Sequence, residues 1–418
     1  MAGSCRRPAR SGGAAPVDHH RARRRTAGHA PPVRRLDGAA WPSYLWEPGS
    51  ARFTATDMLM TDTPSAAPVP TDARDLDRAR FVARAGWRGA ERTVLAGDAS
   101  FRRYDRLKLD RQTAVLMDAP PPHEDVRPFL KVAAHLKAMG YAAPTILAAD
   151  PETGFVLQED LGDDLVRVVL DRDPTLETAI YAAAVDLLAD LHDRPGAAAL
   201  DVPVYDAATL EREALLLIDW YWPLALGRAA TAAERAGFLD RLRPLIDQVA
   251  RPEVLVLRDY HAEKLLWMPA RRGLSRVGLI DFQDALIGHP GYDLVSLLED
   301  ARRDVAPDLA EAMVERYLRR RRDALDGESF RTALAILGAQ RNMKIAGIFA
   351  RLHLRDGKPR YLNYQPRVWG LIERDLVHPA LHALADWLDE TLPWDARGCT
   401  RPRDPDAAGT TTTEGDPA

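Results

Sequence analysis

The sequence predicts an α+β protein of two lobes, and three observations carry that expectation. Strand-like runs gather early in the chain, around Thr93–Leu95, Tyr104–Leu109, Thr113–Asp118 and Phe155–Gln158, with a small polar turn between the first two. Helical spacing marks residues 72–87, 125–139 and 175–192. Two short apolar runs, Val254–Leu257 and Val277–Ile280, each deliver an aspartate just past their C-terminal ends, Asp259 and Asp281.

The chain has 418 residues, 46% hydrophobic and 28% charged, with a formal net charge of −4, which is the composition of a soluble globular protein with room for a sizeable core. No apolar run approaches the roughly 18 residues of a membrane span, so no membrane partner is expected. Residues 1–60 hold ten Arg against four acidic residues, leaving the remainder near minus ten. Residues 1–70 are rich in Arg, Ala, Gly and Pro without periodicity and read as a disordered extension. The segment lacks the apolar core of a secretory signal and any amphipathic face, and no nucleic-acid partner is expected from it. A start at Met58 or Met60, with the upstream text an artefact, stays open. Residues 397–418 read as a loose tail. Cys5 and Cys399 fall in these outer segments, so the folded part is expected to lack thiols, which excludes a disulfide framework and fits a cytoplasmic protein.

Taken in order, residues 72–87 space Ala, Phe and Trp as a helix does. The stretch from Thr93 to Tyr104 places Gly97, Asp98 and Ser100 in a turn, followed by Arg102 and Arg103. Such a turn lets backbone amides approach phosphate oxygens while arginines neutralise charge, although the pattern also suits an ordinary hairpin. Residues 125–139 have helical spacing and stop at Gly140. The run into Gln158-Glu159-Asp160-Leu161-Gly162 suits either a hinge whose amides read an adenine edge or a simple strand-to-helix connection. Leu187, Leu188 and Leu191 share one face of a helix ending at His192-Asp193. The aromatic cluster around Trp220 is either a platform for a sugar ring or core.

An aspartate after a strand is commonly a turn or capping residue. Here Arg258-Asp259-Tyr260-His261, a polar position at 264, the run Leu265-Leu266-Trp267 and Ile280-Asp281-Phe282 lie in one short span. This segment resembles the catalytic and metal-binding loops of the aminoglycoside phosphotransferase family, which shares the protein-kinase fold. The resemblance implies a small N-lobe with an antiparallel sheet over residues 71–160 and a larger, mostly helical C-lobe over 161–396. It implies ATP and magnesium (Mg2+) as cofactors: Gly97, Asp98, Ser100, Arg102 and Arg103 at the phosphates, and Gln158, Glu159 and Leu161 at the adenine hinge. Asp259 would orient the acceptor hydroxyl and take its proton, His261 would hold the loop's shape, and Asp281 would hold the metal ion. Asp293 would buttress the loop, and Asp284 is a candidate substrate contact. His192 would pack beneath the loop.

Two positions depart from the family pattern. No lysine stands on the strand that normally supplies one to the phosphates; Met117 takes its place, leaving the role to Arg102 or Arg103, with Glu124 or Asp125 placed to pair with one of them. Lys264 stands where an asparagine normally ligates magnesium, and a charged ammonium has no lone pair to offer a cation. The lysine therefore either stands in for one metal, leaves a one-magnesium site, or cripples the enzyme into a nucleotide-binding pseudokinase.

For the acceptor, residues 341–367 carry seven Lys or Arg against Asp356 alone, with Arg341, Lys344 and Arg351 as candidate contacts. That excess argues against a polycationic aminoglycoside and for an anionic or neutral acceptor, unless it is only a solvated basic face. The helix Gln340-Arg341-Asn342-x-Lys344-Ile-x-Gly-Ile-Phe-Ala-Arg351, with the motifs above, resembles the bacterial kinases that phosphorylate N-acetylmuramate and N-acetylglucosamine at C1 in cell-wall recycling. An amino-sugar acceptor is thus implied, acted on by a monomer or weak oligomer; a choline-like, homoserine-like or antibiotic acceptor remains the alternative. A zinc hydrolase lacks the histidines for its ligand set.

Overall fold

The computed structural model describes residues 71–95, 101–321 and 325–402. The N-terminal lobe comprises helix α1 (Thr71–Arg84), strands β1 (Glu91–Val94), β2 (Arg103–Leu109) and β3 (Gln112–Asp118), helix α2 (Arg127–Ala138), and strands β4 (Ile146–Asp150) and β5 (Phe155–Glu159). Its five strands form one antiparallel sheet in the order β1-β2-β3-β5-β4.

Side-chain alternation explains how this sheet is covered. Ala114 and Leu116 of β3, with Leu107, Phe155 and Leu157, pack against Phe81 on α1 and Trp87 beyond it. Met117 and Val156 point the other way, into a core shared with α2 and the C-terminal lobe. Helix α2 buries Phe129, Val132, Ala133 and Leu136 and ends before Gly140, whose φ of +86° takes the left-handed conformation that glycine adopts without strain.

The C-terminal lobe opens with α3 (Val166–Arg172), α4 (Glu177–Asp193) and α5 (Ala207–Leu216). Helix α5 continues through a π-helical turn, Leu217–Tyr221, into α6 (Trp222–Leu226), followed by α7 (Ala232–Val249). Four short strands follow: β6 (Val254–Val256), β7 (Leu265–Trp267), β8 (Val277–Leu279) and β9 (Leu286–Gly288), paired β6-β9 and β7-β8. Helices α8 (Gly291–Leu298), α9 (Pro307–Arg320), α10 (Gly327–Leu354), α11 (Gln365–Leu376) and α12 (His382–Thr391) complete the lobe.

Helix α10 is the lobe's central beam, and Gly347 is the reason α5 can lie against it. A Cβ at 347 would come within 2.2 Å of the backbone carbonyl carbon of Leu216. The turn after α5 buries Tyr221 and Trp222, and Trp220 packs partly buried against the same helical core.

The packed chain extends further than expected at its C-terminus. The Arg397 side chain is 4% exposed between Glu373 (2.8 Å) and Asp389 (2.7 Å), and the Cys399 amide donates to the Tyr221 hydroxyl (3.2 Å). Cys399 is therefore part of the packed protein, and its segment is no loose tail. The extension at 1–70 and the remaining tail from 403 lie outside the described residues. Among the described residues, no helix is long and apolar enough to cross a membrane.

Candidate active site

The site is built where β6 ends. All three residues of β6 are buried, and its exit is fixed by Asp293 in the first turn of α8. The two carboxylate oxygens of Asp293 accept the amides of Leu257 (2.6 Å) and Arg258 (2.8 Å). Burial pushes the Asp293 carboxyl up to about 7 against the pull of those two amides. Arg258 takes φ +73°, a left-handed conformation uncommon for a side-chain-bearing residue, which the clamp over-determines.

The loop beyond is held at each step. The buried Tyr260 hydroxyl donates to the Ala184 carbonyl of α4 (2.9 Å), the Lys264 amide donates to the His261 carbonyl (2.8 Å), and the Arg167 amide donates to the Ala262 carbonyl (3.0 Å). His261 is 3% exposed, and burial together with Arg302, Arg341 and Lys264 pushes its imidazole well below its ordinary range. A neutral ring 3.9 Å from Asp300 makes no ion pair, so His261 is a packed loop residue here. His192 is likewise buried beneath β6, bonded to the Tyr317 hydroxyl (2.7 Å).

Asp281 lies close enough for its charge to bear on Asp259, and the proton affinities of the two carboxylates are shifted in opposite directions. Burial and the neighbouring Asp281 push the Asp259 carboxyl up, against the pull of Lys344, Lys264 and Arg258. Burial also raises Asp281, but Lys264, Gln283 and Arg102 together hold it below the ordinary carboxylate range. Asp281 has φ +62° and is ion-paired to the Lys264 ammonium through Oδ2, while Gln283 donates to its Oδ1 (2.9 Å). The next residue, Phe282, is fully buried and stacks on Phe129 of α2 with centroids 5.1 Å apart. Burying that ring contributes about 2 kcal/mol to anchoring the loop on the other lobe.

Strand alternation separates the two candidate arginines. Arg102 lies on the same side as Tyr104, which pairs with Met117 on β3, and its guanidinium bonds Glu124 (3.0 Å) and stands 3.9 Å from Asp281 Oδ1. Arg103 faces away, to Asp105 (3.2 Å). The arginine–acid pairing expected from the sequence is thus Arg102–Glu124. Gly97, Asp98 and Ser100 lie outside the described residues.

At the hinge, Gln158 sits within β5, paired to Val115 and Ile146, with a buried side chain. Burial raises Glu159, but Thr145 (2.7 Å), Arg271 (2.8 Å) and Lys137 bring it down to about 2. Leu161 packs against Ala142, Leu266 and Met268, tying the connection to β7.

The candidate acceptor residues divide. Lys344 pairs with Glu213 (2.9 Å) and reaches the Tyr292 hydroxyl (3.3 Å), close enough to Asp259 to affect its proton affinity. Arg341 is buried and donates to the Ser296 hydroxyl (2.8 Å) and the Glu299 carbonyl (3.3 Å), so it braces α8 against α10. Arg351 neighbours Arg355 and Asp356, Asp284 is exposed and accepts from Gln283 (3.2 Å), and Trp220 belongs to the helical core. Of the seven basic residues of 341–367, three are ion-paired, Lys344 on Glu213, Arg355 on Asp356 and Arg367 on Asp304, and only the first and last of these partners lie outside the segment.

One residue escaped the sequence reading. Glu213 of α5 is 7% exposed and receives Lys344, the Arg258 guanidinium and the Tyr205 hydroxyl together. Its only signal in the sequence is an acid among the apolar residues of an amphipathic helix, and that pattern occurs on many surface helices.

Residues 91–330 match the phosphotransferase enzyme family. An N-acetylmuramate/N-acetylglucosamine kinase of Caulobacter vibrioides is 36% identical over 362 residues, covering 78% of this chain and 98% of its own. The protein of the same name from Pseudomonas aeruginosa is 39% identical over 311 residues, covering 72% and 88%. Two solved structures share the fold at low identity. A choline/ethanolamine kinase family protein of Mesorhizobium loti has 15% identity and a TM-score of 0.51, covering 76% of this chain and 99% of its own. A microcompartment-associated aminopropanol kinase has 16% identity and a TM-score of 0.51, covering 75% and 99%. With an antiparallel N-terminal sheet, a helical C-terminal lobe and two strand-end aspartates between them, the chain belongs to the phosphotransferase enzyme family.

Proposed function

We propose that this protein is a kinase that transfers the γ-phosphoryl group of ATP to the anomeric hydroxyl of N-acetylmuramate or N-acetylglucosamine. The observation that carries the chemistry is Asp259, whose proton affinity is raised beside a carboxylate held ionised, on a loop fixed by Asp293. The acceptor class rests on the relatives that carry that name over most of their length. Lys344 and Arg367 of the basic segment 341–367 are taken up by Glu213 and Asp304, so the charge count by itself does not name the acceptor.

In this reading Asp259 takes the C1 hydroxyl proton as the sugar oxygen bonds to the γ-phosphorus, and the bond to the β–γ bridging oxygen breaks to release ADP. Arg102, oriented by Glu124, binds phosphate oxygens from the N-terminal lobe. Backbone groups near Leu161 meet the adenine. Asp281 supplies the one protein carboxylate that would hold a magnesium ion, a small number that suits this cation. Bound there, the ion offsets charge developing on the phosphoryl oxygens. The cytoplasm, where ATP and recycled amino sugars meet, is the expected setting.

The test is an acceptor screen with magnesium-ATP on wild type and Asp259→Asn, read by 31P NMR. The expected result is sugar α-1-phosphate from wild type and none from the variant. Preference for a cationic acceptor such as choline or an aminoglycoside would overturn the substrate assignment. The Lys264–Asp281 pair supports one rival, a pseudokinase, whose signature in the same screen is ATP binding without turnover on any acceptor.

A further inference from the structure

Protein kinases hold two magnesium ions, one on a strand-end aspartate and a second shared with an asparagine of the catalytic loop. The second position does not fit a metal ion here. Lys264 carries three donors and no acceptor, and its backbone is pinned on both sides: its amide donates to the His261 carbonyl (2.8 Å) and its carbonyl accepts from Ile280 (3.4 Å). The side chain therefore leaves the loop toward Asp281 and pairs with Oδ2. Lys264 is 23% and Asp281 15% exposed, so solvent only partly screens the pair. The other carboxylate oxygen faces Gln283 (2.9 Å) and the Arg102 guanidinium (3.9 Å), a side on which bound phosphates can share a cation. Among the described residues, no group of three or more His, Cys, Asp or Glu side chains is disposed to hold an ion, at Asp281 or elsewhere, so an ion on Asp281 would need ligands from the nucleotide.

We infer that the Lys264 ammonium permanently occupies the place of the second divalent cation, so that nucleotide is bound with a single divalent ion on Asp281. The inference rests on the nucleotide-site reading above. It specifies a fixed monovalent charge where a kinase normally recruits an exchangeable divalent one. Such an enzyme gains nothing from free magnesium beyond that which accompanies ATP, because no second site remains to be filled.

The experiment counts ions directly. Mn2+ bound to the protein with a non-hydrolysable ATP analogue is titrated by EPR, with nucleotide binding followed in parallel by calorimetry. Wild type is expected to bind one Mn2+ per protein–nucleotide complex, Lys264→Asn two, and Lys264→Met one, with nucleotide affinity at least tenfold weaker in Lys264→Met. Two ions in the wild type with nucleotide binding intact would overturn the inference and leave the kinase reading standing. Absence of nucleotide binding by wild type would overturn both. The wild-type count decides the matter even if a variant fails to fold, and thermal melts of both variants report folding separately.

Discussion

Glu213→Gln gives the sharpest test of how the catalytic loop is held. One buried carboxylate serves two cations and a hydroxyl, Lys344, Arg258 and Tyr205. Burial pushes Glu213 up, but Lys344 and Arg258 outweigh it and keep the carboxyl below its ordinary range, so it is ionised at neutral pH. Glutamine keeps the shape but offers a single acceptor oxygen and turns an NH2 toward a cation. Breaking a buried pair from one side costs about 3–5 kcal/mol. Arg258 is 26% exposed and Lys344 12%, so water recovers part of that loss and about 3 kcal/mol is expected. With an m-value near 3 kcal/mol/M, the urea midpoint falls by about 1 M. The same change leaves more uncompensated positive charge beside Asp259, so the acid limb of the kcat/KM profile moves to lower pH. A stability loss under about 1 kcal/mol with an unmoved acid limb would refute the proposed coupling between Glu213, Arg258 and Lys344.

Three further outcomes are expected. Arg102→Met removes the cation paired with Glu124, so the KM for ATP rises tenfold or more, equivalent to about 1.4 kcal/mol, in steady-state kinetics with sugar saturating; an unchanged KM would remove Arg102 from the phosphate site. Asp293 binds its proton more tightly folded (about 7) than unfolded (about 3.9), so the folded state holds more protons between those values and this group's contribution to stability falls as pH rises through that window. Urea melts from pH 4.5 to 7.5 should show wild type losing stability relative to Asp293→Asn, and parallel curves would contradict the burial argument. Gly347→Ala forces a Cβ into the Leu216 backbone and should cost at least about 2 kcal/mol by thermal or urea melt, whereas a neutral effect would mean that α5 and α10 can part freely.

The parts of this protein legible in sequence are those whose geometry is local. The places of Asp259 and Asp281 are legible because each follows an apolar run that forms a buried strand, although their roles come from the family resemblance, and Gly140 is legible as a helix stop. Arg102 and Arg103 are adjacent, and only the pairing of Arg103 with Asp118 across β2 and β3 sets which one faces the site. The basic count over 341–367 overstates the charge there by two, because the partners of Lys344 and Arg367 are remote in sequence: Glu213 lies on α5 and Asp304 ahead of α9. Glu213 is hidden for the same reason, since its contact with Arg258 spans 45 residues. Trp220 follows from the π turn, which the aromatic pattern does not encode, and Cys399 is captured by Tyr221 across 178 residues.

Glu124, Arg102, Asp281 and Lys264 form a row of alternating charge that begins on the N-terminal lobe and ends on the C-terminal one. Its middle link, at 3.9 Å, is too long for a hydrogen bond and short enough for attraction, so it draws the lobes together without fixing the angle between them. In the proposed nucleotide site a phosphate chain would compete for Arg102 and a cation on Asp281 would repel it, so either would loosen the Arg102–Asp281 link. Both ends of that link are partly exposed, so raised ionic strength is expected to weaken the attraction between the lobes as well as the hold on a charged ligand.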